Sequence, residues 1–434
     1  MKRTVNVLSK LNWGTRACAV LVLCTTTAIA LPAQVVTLTT LHRFCSQSGC
    51  PDGVAPTAGP VQATNGDLYG TTLSGGANHA GTVFKITPGG RLTTLYSFCS
   101  QTNCTDGFGP QAGLVQAANG DLFGTTSNGY GTVFKITPGG TLTTLYSFCS
   151  QTNCTDGAEP YGGLVQAANG NFYGTTYGGG ANADCFGQGC GTVFRITPSG
   201  ALTMLYSFCA QSGCTDGERP EAPLVQAANG NFYGTTFGGA NKRGTVFKIT
   251  PGGTLTTLYR FPDGAYPYAA LVQAADGDFY GTTSGGGAAD LGTVFKITPS
   301  GTLTTLYTFC SQSGCTDGAY PYAGLAQDTN GDFYGTTYLG GANYDGTVFR
   351  LSVGLGPFVK IRPPYGKGGA AVKILGTNLT GATSVGFNGT AAVFTVVSSS
   401  EITTTVPAGA SSGEVQVVTP SGTLSSNVSF LVVP

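Results

Sequence analysis

The chain has 434 residues, of which 9% are charged and 41% hydrophobic, and its formal net charge is zero. So large an apolar share excludes a disordered chain, and the lack of a basic excess excludes the positive stripe that nucleic-acid binders need. Beyond the N-terminus no stretch is apolar enough to span a bilayer.

The first element, residues 1–33, reads as a secretory signal. Lys2, Arg3, Lys10 and Arg16 make a basic start, an apolar core runs from Ala17 to Leu23, and small residues follow at Ala28 and Ala30. Cleavage fits after Ala30 or Ala33. Losing those four cations leaves 16 basic against 20 acidic residues, so the mature chain is mildly acidic. It is expected to be extracellular, periplasmic or on the cell surface, and not to span a membrane once the signal is removed.

Next comes a phrase repeated along the chain. Its Gly-Thr-Val-Phe segments begin at Gly81, Gly131, Gly191, Gly244, Gly292 and Gly346, at intervals of 48 to 60 residues. A fixed period of this size means one structural unit that cannot bury its apolar surface alone. In the third copy four β-like runs are expected: Leu164 to Ala168, Asn171 to Thr176, Thr192 to Thr197 and Leu202 to Phe208, called here strands a to d. Asn169-Gly170 reads as a two-residue hairpin turn between a and b, and Pro198-Ser199-Gly200 turns c into d. Valine, threonine, tyrosine and phenylalanine dominate these runs, and no helical period is present. Four antiparallel strands per unit predict blades of a β-propeller. The chain opens on a d-type phrase, Thr37 to Phe44, and its sixth unit ends on a c strand, Gly346 to Ser352. That offset predicts a six-bladed β-propeller over residues 35–353, closed by the N-terminal strand. The fold class is therefore all-β.

Cysteines recur in one spacing: Cys45/Cys50, Cys99/Cys104, Cys149/Cys154, Cys185/Cys190, Cys209/Cys214 and Cys310/Cys315. Five pairs follow a d strand. In the fifth unit, at Phe261-Pro262-Asp263-Gly264, both cysteines and the residues between them are missing together. Loss as a unit predicts a disulfide within each pair, of the kind an oxidising compartment allows. The spacing is not C-x-x-C and the chain has 2 histidines, so neither a metal site nor any other cofactor is expected.

After Gly354 the repeat ends. Residues 357–434 carry short alternating runs at Ala371 to Leu375, Ala392 to Val397, Ile402 to Val406 and Glu414 to Val418, predicting a small β-sandwich. The runs G-T-N-L-T-G-A-T-S-V-G-F-N-G-T (Gly376 to Thr390), I-T-T-T-V-P-A-G-A (Ile402 to Ala410) and G-E-V-Q-V-V-T-P-S-G (Gly413 to Gly422) resemble the IPT/TIG immunoglobulin-like domain. That resemblance implies an adhesion, spacing or ligand-presenting module without a catalytic set. The repeats themselves, through D-F-Y-G-T-T-Y (Asp332 to Tyr338) and G-T-V-F-K-I-T-P-G-G (Gly81 to Gly90), resemble the GloVer-type (Gloeo/Verruco) tandem repeats of exported bacterial proteins, which implies secretion and surface display.

The a–b and c–d turns are uniform, whereas the b–c and d–a loops vary and carry the cysteines, so a ligand face is expected on the second set. Its candidate residues are Tyr161, Tyr266, Tyr268, Tyr320 and Tyr322, suited to stacking on sugars. Asp106, Asp156, Asp216, Asp263 and Asp317 form a ring of carboxylates that also reads as turn residues. The densest symmetry-breaking cluster is Glu218, Arg219 and Glu221. No catalytic set is evident. These observations favour an exported, non-catalytic binding or adhesion protein whose partner is an extracellular glycan or a surface protein. A carbohydrate-active enzyme (a polysaccharide hydrolase or lyase on a propeller scaffold) and a purely structural spacer are the alternatives.

Overall fold

A computed structural model describes residues 40–433, apart from 64, 118, 183, 184, 186, 240–243 and 263. The expected signal segment lies outside the described residues. Among the described residues the repeat region is five four-stranded antiparallel sheets and one three-stranded sheet, each built from consecutive strands. The third sheet has Val165–Gln166 as strand a, Phe172–Thr176 as b, Thr192–Ile196 as c and Leu202–Ser207 as d. These are the four expected runs, trimmed by a residue or so at their ends.

The a–b turn differs from expectation. Ala167 N–H bonds Asn171 O at 2.9 Å and Gly170 N–H bonds Ala167 O at 2.8 Å, leaving a three-residue loop, Ala168 to Gly170. Gly170 has φ 81°. This is a type I turn closed by a left-handed glycine, and it leaves the same residues at the tip.

Strands b and c are buried on both faces because each sheet is sandwiched between neighbours. Tyr173 stacks on Phe232 of the next sheet at 4.0 Å, and Tyr233 on Phe279 at 4.0 Å. Phe208, just past strand d, meets Phe247 of the next sheet edge-on at 5.2 Å. Thr175 Oγ1 donates to Ala222 O at 3.2 Å across the same seam. Within a sheet the fit is equally close. A Cβ on Gly174 would stand 2.6 Å from Phe194 Cζ and 3.1 Å from Leu164 Cδ2. Gly174→Ala is accordingly expected to cost about 2 kcal/mol, measurable as a fall in the urea midpoint with an unchanged slope.

The sixth sheet departs from the pattern. It consists of Ala326–Gln327, Phe333–Thr337 and Thr347–Leu351. Val348 is 80% exposed, whereas Val83, Val133, Val193 and Val246 are at 0%. Residues 40–44 are not in a strand and do not pair with Thr347–Leu351; residues 37–39 of the expected closing strand lie outside the described residues. Phe44 instead meets Phe84 of the first sheet edge-on at 5.2 Å, the station that Phe98 takes on Phe134 of the second at 5.1 Å. The phenylalanine is seated as in the second unit, and among the described residues no strand pairs with the outer edge of Thr347–Leu351.

Residues 360–432 form two four-stranded antiparallel sheets and a short parallel pair. Val372 and Ile374 of one sheet, and Val385, Phe387, Val415 and Val417 of the other, belong to one core. The strands Ala371–Leu375, Phe394–Ser398, Glu401–Thr405 and Val415–Thr419 match the four alternating runs to within two residues at either end.

Candidate binding rim

The d–a and b–c loops of one sheet meet at one end of it. Single backbone bridges join Ala158 to Gly178, Glu218 to Gly238 and Ala319 to Leu339. The a–b turns gather at the other end, against the C-terminal unit. There the Tyr365 hydroxyl bonds Gln116 O at 3.2 Å and Ala117 O at 3.1 Å, and Asn427 Nδ2 donates to Gln273 O at 3.3 Å.

The carboxylates of the expected ring turn into their own loops. Asp106, Asp156 and Asp216 are wholly buried, and Asp317 is half-buried. Each accepts the hydroxyl of the tyrosine in its own d strand: Tyr96 on Asp106 at 2.8 Å, Tyr146 on Asp156 at 2.8 Å, Tyr206 on Asp216 at 2.8 Å, Tyr307 on Asp317 at 2.7 Å. Backbone N–H groups of the cysteine loop complete the set, as Ser150 and Gln151 do for Asp156 at 2.9 and 3.3 Å. Burial pushes the Asp106 and Asp156 carboxyls up, but these donors outweigh it and hold both below the usual carboxylate range. They are loop staples, so the ligand role expected of Asp106, Asp156, Asp216 and Asp317 gives way to the turn reading. Asp263 lies outside the described residues. In the N-terminal unit His42 stands where the tyrosine would be and meets Asp52 at 2.7 Å. All six cysteine pairs are joined within themselves: Cys45–Cys50, Cys99–Cys104, Cys149–Cys154, Cys185–Cys190, Cys209–Cys214 and Cys310–Cys315.

The tyrosines behave differently. Tyr266 and Tyr268 flank Phe237 at 5.3 and 5.0 Å, Tyr268 meets Tyr322 at 5.3 Å, Tyr322 meets Tyr338 at 5.6 Å, and Tyr320 lies parallel to Tyr322 at 6.5 Å. Tyr161 packs on Tyr177 at 5.2 Å, and the Arg219 guanidinium lies over the Tyr177 ring at 5.3 Å. The two groups share Glu221. Burial pushes its carboxyl up to about 7 against the pull of Arg219. Burial raises the Tyr268 and Tyr161 hydroxyls to about 12; the Glu221 charge adds to both, and Glu159 contributes more strongly than Glu221 at Tyr161. The Tyr161 hydroxyl donates to Glu159 at 3.2 Å. The result is an aromatic run over the third to sixth units, with a half-buried acid beside it and Tyr322 and Tyr338 open to solvent at 46% and 66%.

Sequence reasoning missed Tyr177, Phe237 and Tyr338. All three occupy the position after Gly-Thr-Thr, which in other units is Leu73, Ser127 or Ser284; that variation was the available signal. In the first, third, fourth and fifth units the tyrosine inside Tyr-Gly-Thr-Thr is packed between sheets, with Tyr69 and Tyr173 at 0% exposure, whereas Tyr334 of the sixth is exposed. The basic residue after Val-Phe pairs with the a–b turn where that turn carries an aspartate, as Lys85 does with Asp67 at 3.7 Å and Lys135 with Asp121 at 3.9 Å, whereas Arg195 donates to Thr203 of its d strand at 3.2 Å. A separate cavity of about 1100 Å³ lies among the a strands of five units and the C-terminal unit. None of the five candidate tyrosines lines it, and two of its glutamines are spent on the scaffold: Gln226 and Gln273 accept the Ala168 and Ala228 N–H groups at 3.2 and 3.1 Å. The rim is therefore the better candidate.

A family model described as the Gloeobacter/Verrucomicrobia repeat matches residues 26–214 and 186–397. No curated protein matches the chain. Among solved structures, a luciferin-regenerating enzyme is 13% identical over 70% of this chain and 94% of its own, with a TM-score of 0.42. A PQQ-bound aldose sugar dehydrogenase from Streptomyces coelicolor is 14% identical over 69% and 95%, with a TM-score of 0.42. A copper-bound fungal alcohol oxidase is 13% identical over 88% and 98%, with a TM-score of 0.40. Similarity of this degree assigns no activity.

Proposed function

The chain belongs to the Gloeobacter/Verrucomicrobia repeat family, and from that premise we propose that it is an exported, non-catalytic glycan-binding protein. In this reading the six sheets are the blades of a propeller, with an IPT/TIG-type immunoglobulin-like module behind it. Six disulfides fit an oxidising compartment, and among the described residues no helix is long and apolar enough to cross a membrane. The supporting observation is the aromatic run from Tyr161 and Tyr177 to Tyr322 and Tyr338 around Glu221. Tyrosine rings offer apolar faces to the C–H side of a sugar, while their hydroxyls and a carboxyl serve its polar edge.

The test is a glycan array on the oxidised mature protein, followed by calorimetry on the hits. Tyr268→Ala and Tyr322→Ala are each expected to weaken binding about ten-fold; unchanged affinity in both would remove the rim as the site. Glu221 gives an independent check. Its carboxyl is raised in the folded state from 4.5 to about 7, so the native protein holds a proton there that the unfolded chain has released. That contribution to stability is present below about pH 4.5 and is lost as pH rises through about 7. Glu221→Gln should therefore raise the melting temperature at pH 8 and leave it nearly unchanged at pH 4. The opposite order would dismiss the buried-acid description.

One observation favours a carbohydrate-active enzyme instead. Glu159 and Glu221 both act on Tyr161 and Tyr177, and an acid near neutrality beside a second carboxyl is what sugar cleavage uses. Turnover on a polysaccharide panel that disappears in Glu221→Gln would decide for that reading.

A further inference from the structure

Five units carry a cysteine clip after a d strand; only the third adds a second pair, through the insertion in its b–c loop. The structure brings that extra pair onto the clip. The Sγ atoms of Cys185, Cys190, Cys209 and Cys214 and a carboxylate oxygen of Glu218 all lie within 4.8 Å of one another. We propose that this cluster is a thiol–disulfide exchange site, in which Cys209, freed from Cys214, attacks Cys190 and releases Cys185 as a thiol beside Glu218.

Exposure sets the order of events. Cys185, Cys190 and Cys209 are buried, at 1%, 0% and 6% exposure, and Cys214 is half-buried. A thiolate arriving from solvent meets Cys214 first, and access decides which sulfur is attacked. The reductant is a dithiol. Its first thiolate bonds to Cys214 Sγ, the Cys209–Cys214 bond breaks, and Cys209 leaves as a thiolate. Cys209 then bonds to Cys190 Sγ and the Cys185–Cys190 bond breaks. Sulfurs already gathered this closely react as one molecule, without the entropy cost of a second encounter.

Glu218 selects the leaving sulfur. Its Oε2 lies 3.0 Å from Cys185 Sγ, so a thiol formed there donates to it directly. Burial also pushes the Glu218 carboxyl up against the pull of Arg219, so it holds a proton more readily than an exposed glutamate and passes it to the departing Cys185. The second thiol of the dithiol displaces Cys214 and completes the oxidation of the reductant. Two electrons and two protons have moved: the dithiol becomes a disulfide, Cys185 and Cys214 become thiols, and Glu218 regains its proton from solvent. The surviving bond, Cys190–Cys209, ties the inserted loop to the end of the d strand and opens the clip that leads into Glu218.

Cys214→Ser in the full chain leaves Cys209 free from the start and needs no reductant. After alkylation and peptide mapping, we expect a Cys190–Cys209 link with the label on Cys185. Label on Cys209 with Cys185–Cys190 intact, or a Cys185–Cys209 link, overturns the proposal. The parallel variant Cys104→Ser, whose unit has no second pair, should carry its label on Cys99. If Cys214→Ser does not fold, brief dithiothreitol treatment of the native chain decides by the same map: Cys190–Cys209 supports the proposal, and Cys185–Cys190 beside an opened clip overturns it. With Glu218→Ala added, label should divide between Cys185 and Cys190; an undiminished preference for Cys185 overturns the role of Glu218.

Discussion

Asp156→Ala is expected to destabilise the protein by about 3 kcal/mol, although the residue lies in a loop. The carboxylate is wholly buried and collects four donors: the Tyr146 and Ser150 hydroxyls and the Ser150 and Gln151 N–H groups. Truncation strands two backbone donors and leaves the Tyr146 hydroxyl with Ser150 Oγ as its remaining partner, while solvent at Ser150 and Gln151 recovers part of the loss. The pH dependence has a definite sign. The folded carboxyl is held below 3.8 by these bonds, which overcome the opposing effect of burial. Its contribution is therefore present above the unfolded value near 3.8 and lost as pH falls through the folded one. Equilibrium urea unfolding of wild type and variant at pH 7 and pH 3 checks this: the difference should be large at pH 7 and shrink at pH 3. A cost below about 0.5 kcal/mol at pH 7, the scale of an ordinary surface change, would return Asp156 to the pool of ligand residues.

Val348→Asp is the second large effect, and it tests the closed propeller proposed above. The equivalent valine is buried in the first five sheets, and Val348 stands 80% exposed. Tyr334, which stands where Tyr173 packs at 0%, is 36% exposed beside it. A face with this composition has five buried counterparts in the chain, and the first sheet offers what each of them meets. Leu68 holds the place of Phe232, and Phe44 is already seated on Phe84. If the sixth sheet closes on the first in solution, Val348→Asp buries an unpaired carboxylate and should cost about 4 kcal/mol. Val246→Asp, inside an established seam, is the calibrating variant. Chemical denaturation of both decides it: a Val348→Asp loss under about 0.5 kcal/mol shows that the ring remains open.

The strands were legible because their causes are local. Alternating β-branched and aromatic residues, Asn-Gly or Asp-Gly tips and Pro-Gly-Gly or Pro-Ser-Gly turns act within a few positions and recur from unit to unit. Disulfide pairing was legible for a related reason, since the fifth unit deletes both partners at once. The role of Asp156 was ambiguous from the chain alone. An aspartate before a glycine is as good a ligand as it is a turn residue until the tyrosine ten positions earlier is seen to reach it. Tyr177, Phe237 and Tyr338 were passed over because they border a phrase whose other tyrosines are core.

By itself the amino-acid sequence determined the all-β class, the repeat, the four runs of the first five units, the disulfide partners and the loops that carry variation. Periodicity and turn chemistry are short-range and survive in one dimension. Tertiary structure alone decided which side chains from different units share a site: Glu221 among tyrosines of its neighbours, two cysteine pairs on one glutamate, and a sixth sheet with an uncovered face. Those juxtapositions arise from how sheets stack, and stacking brings together residues some fifty positions apart that no local signal connects.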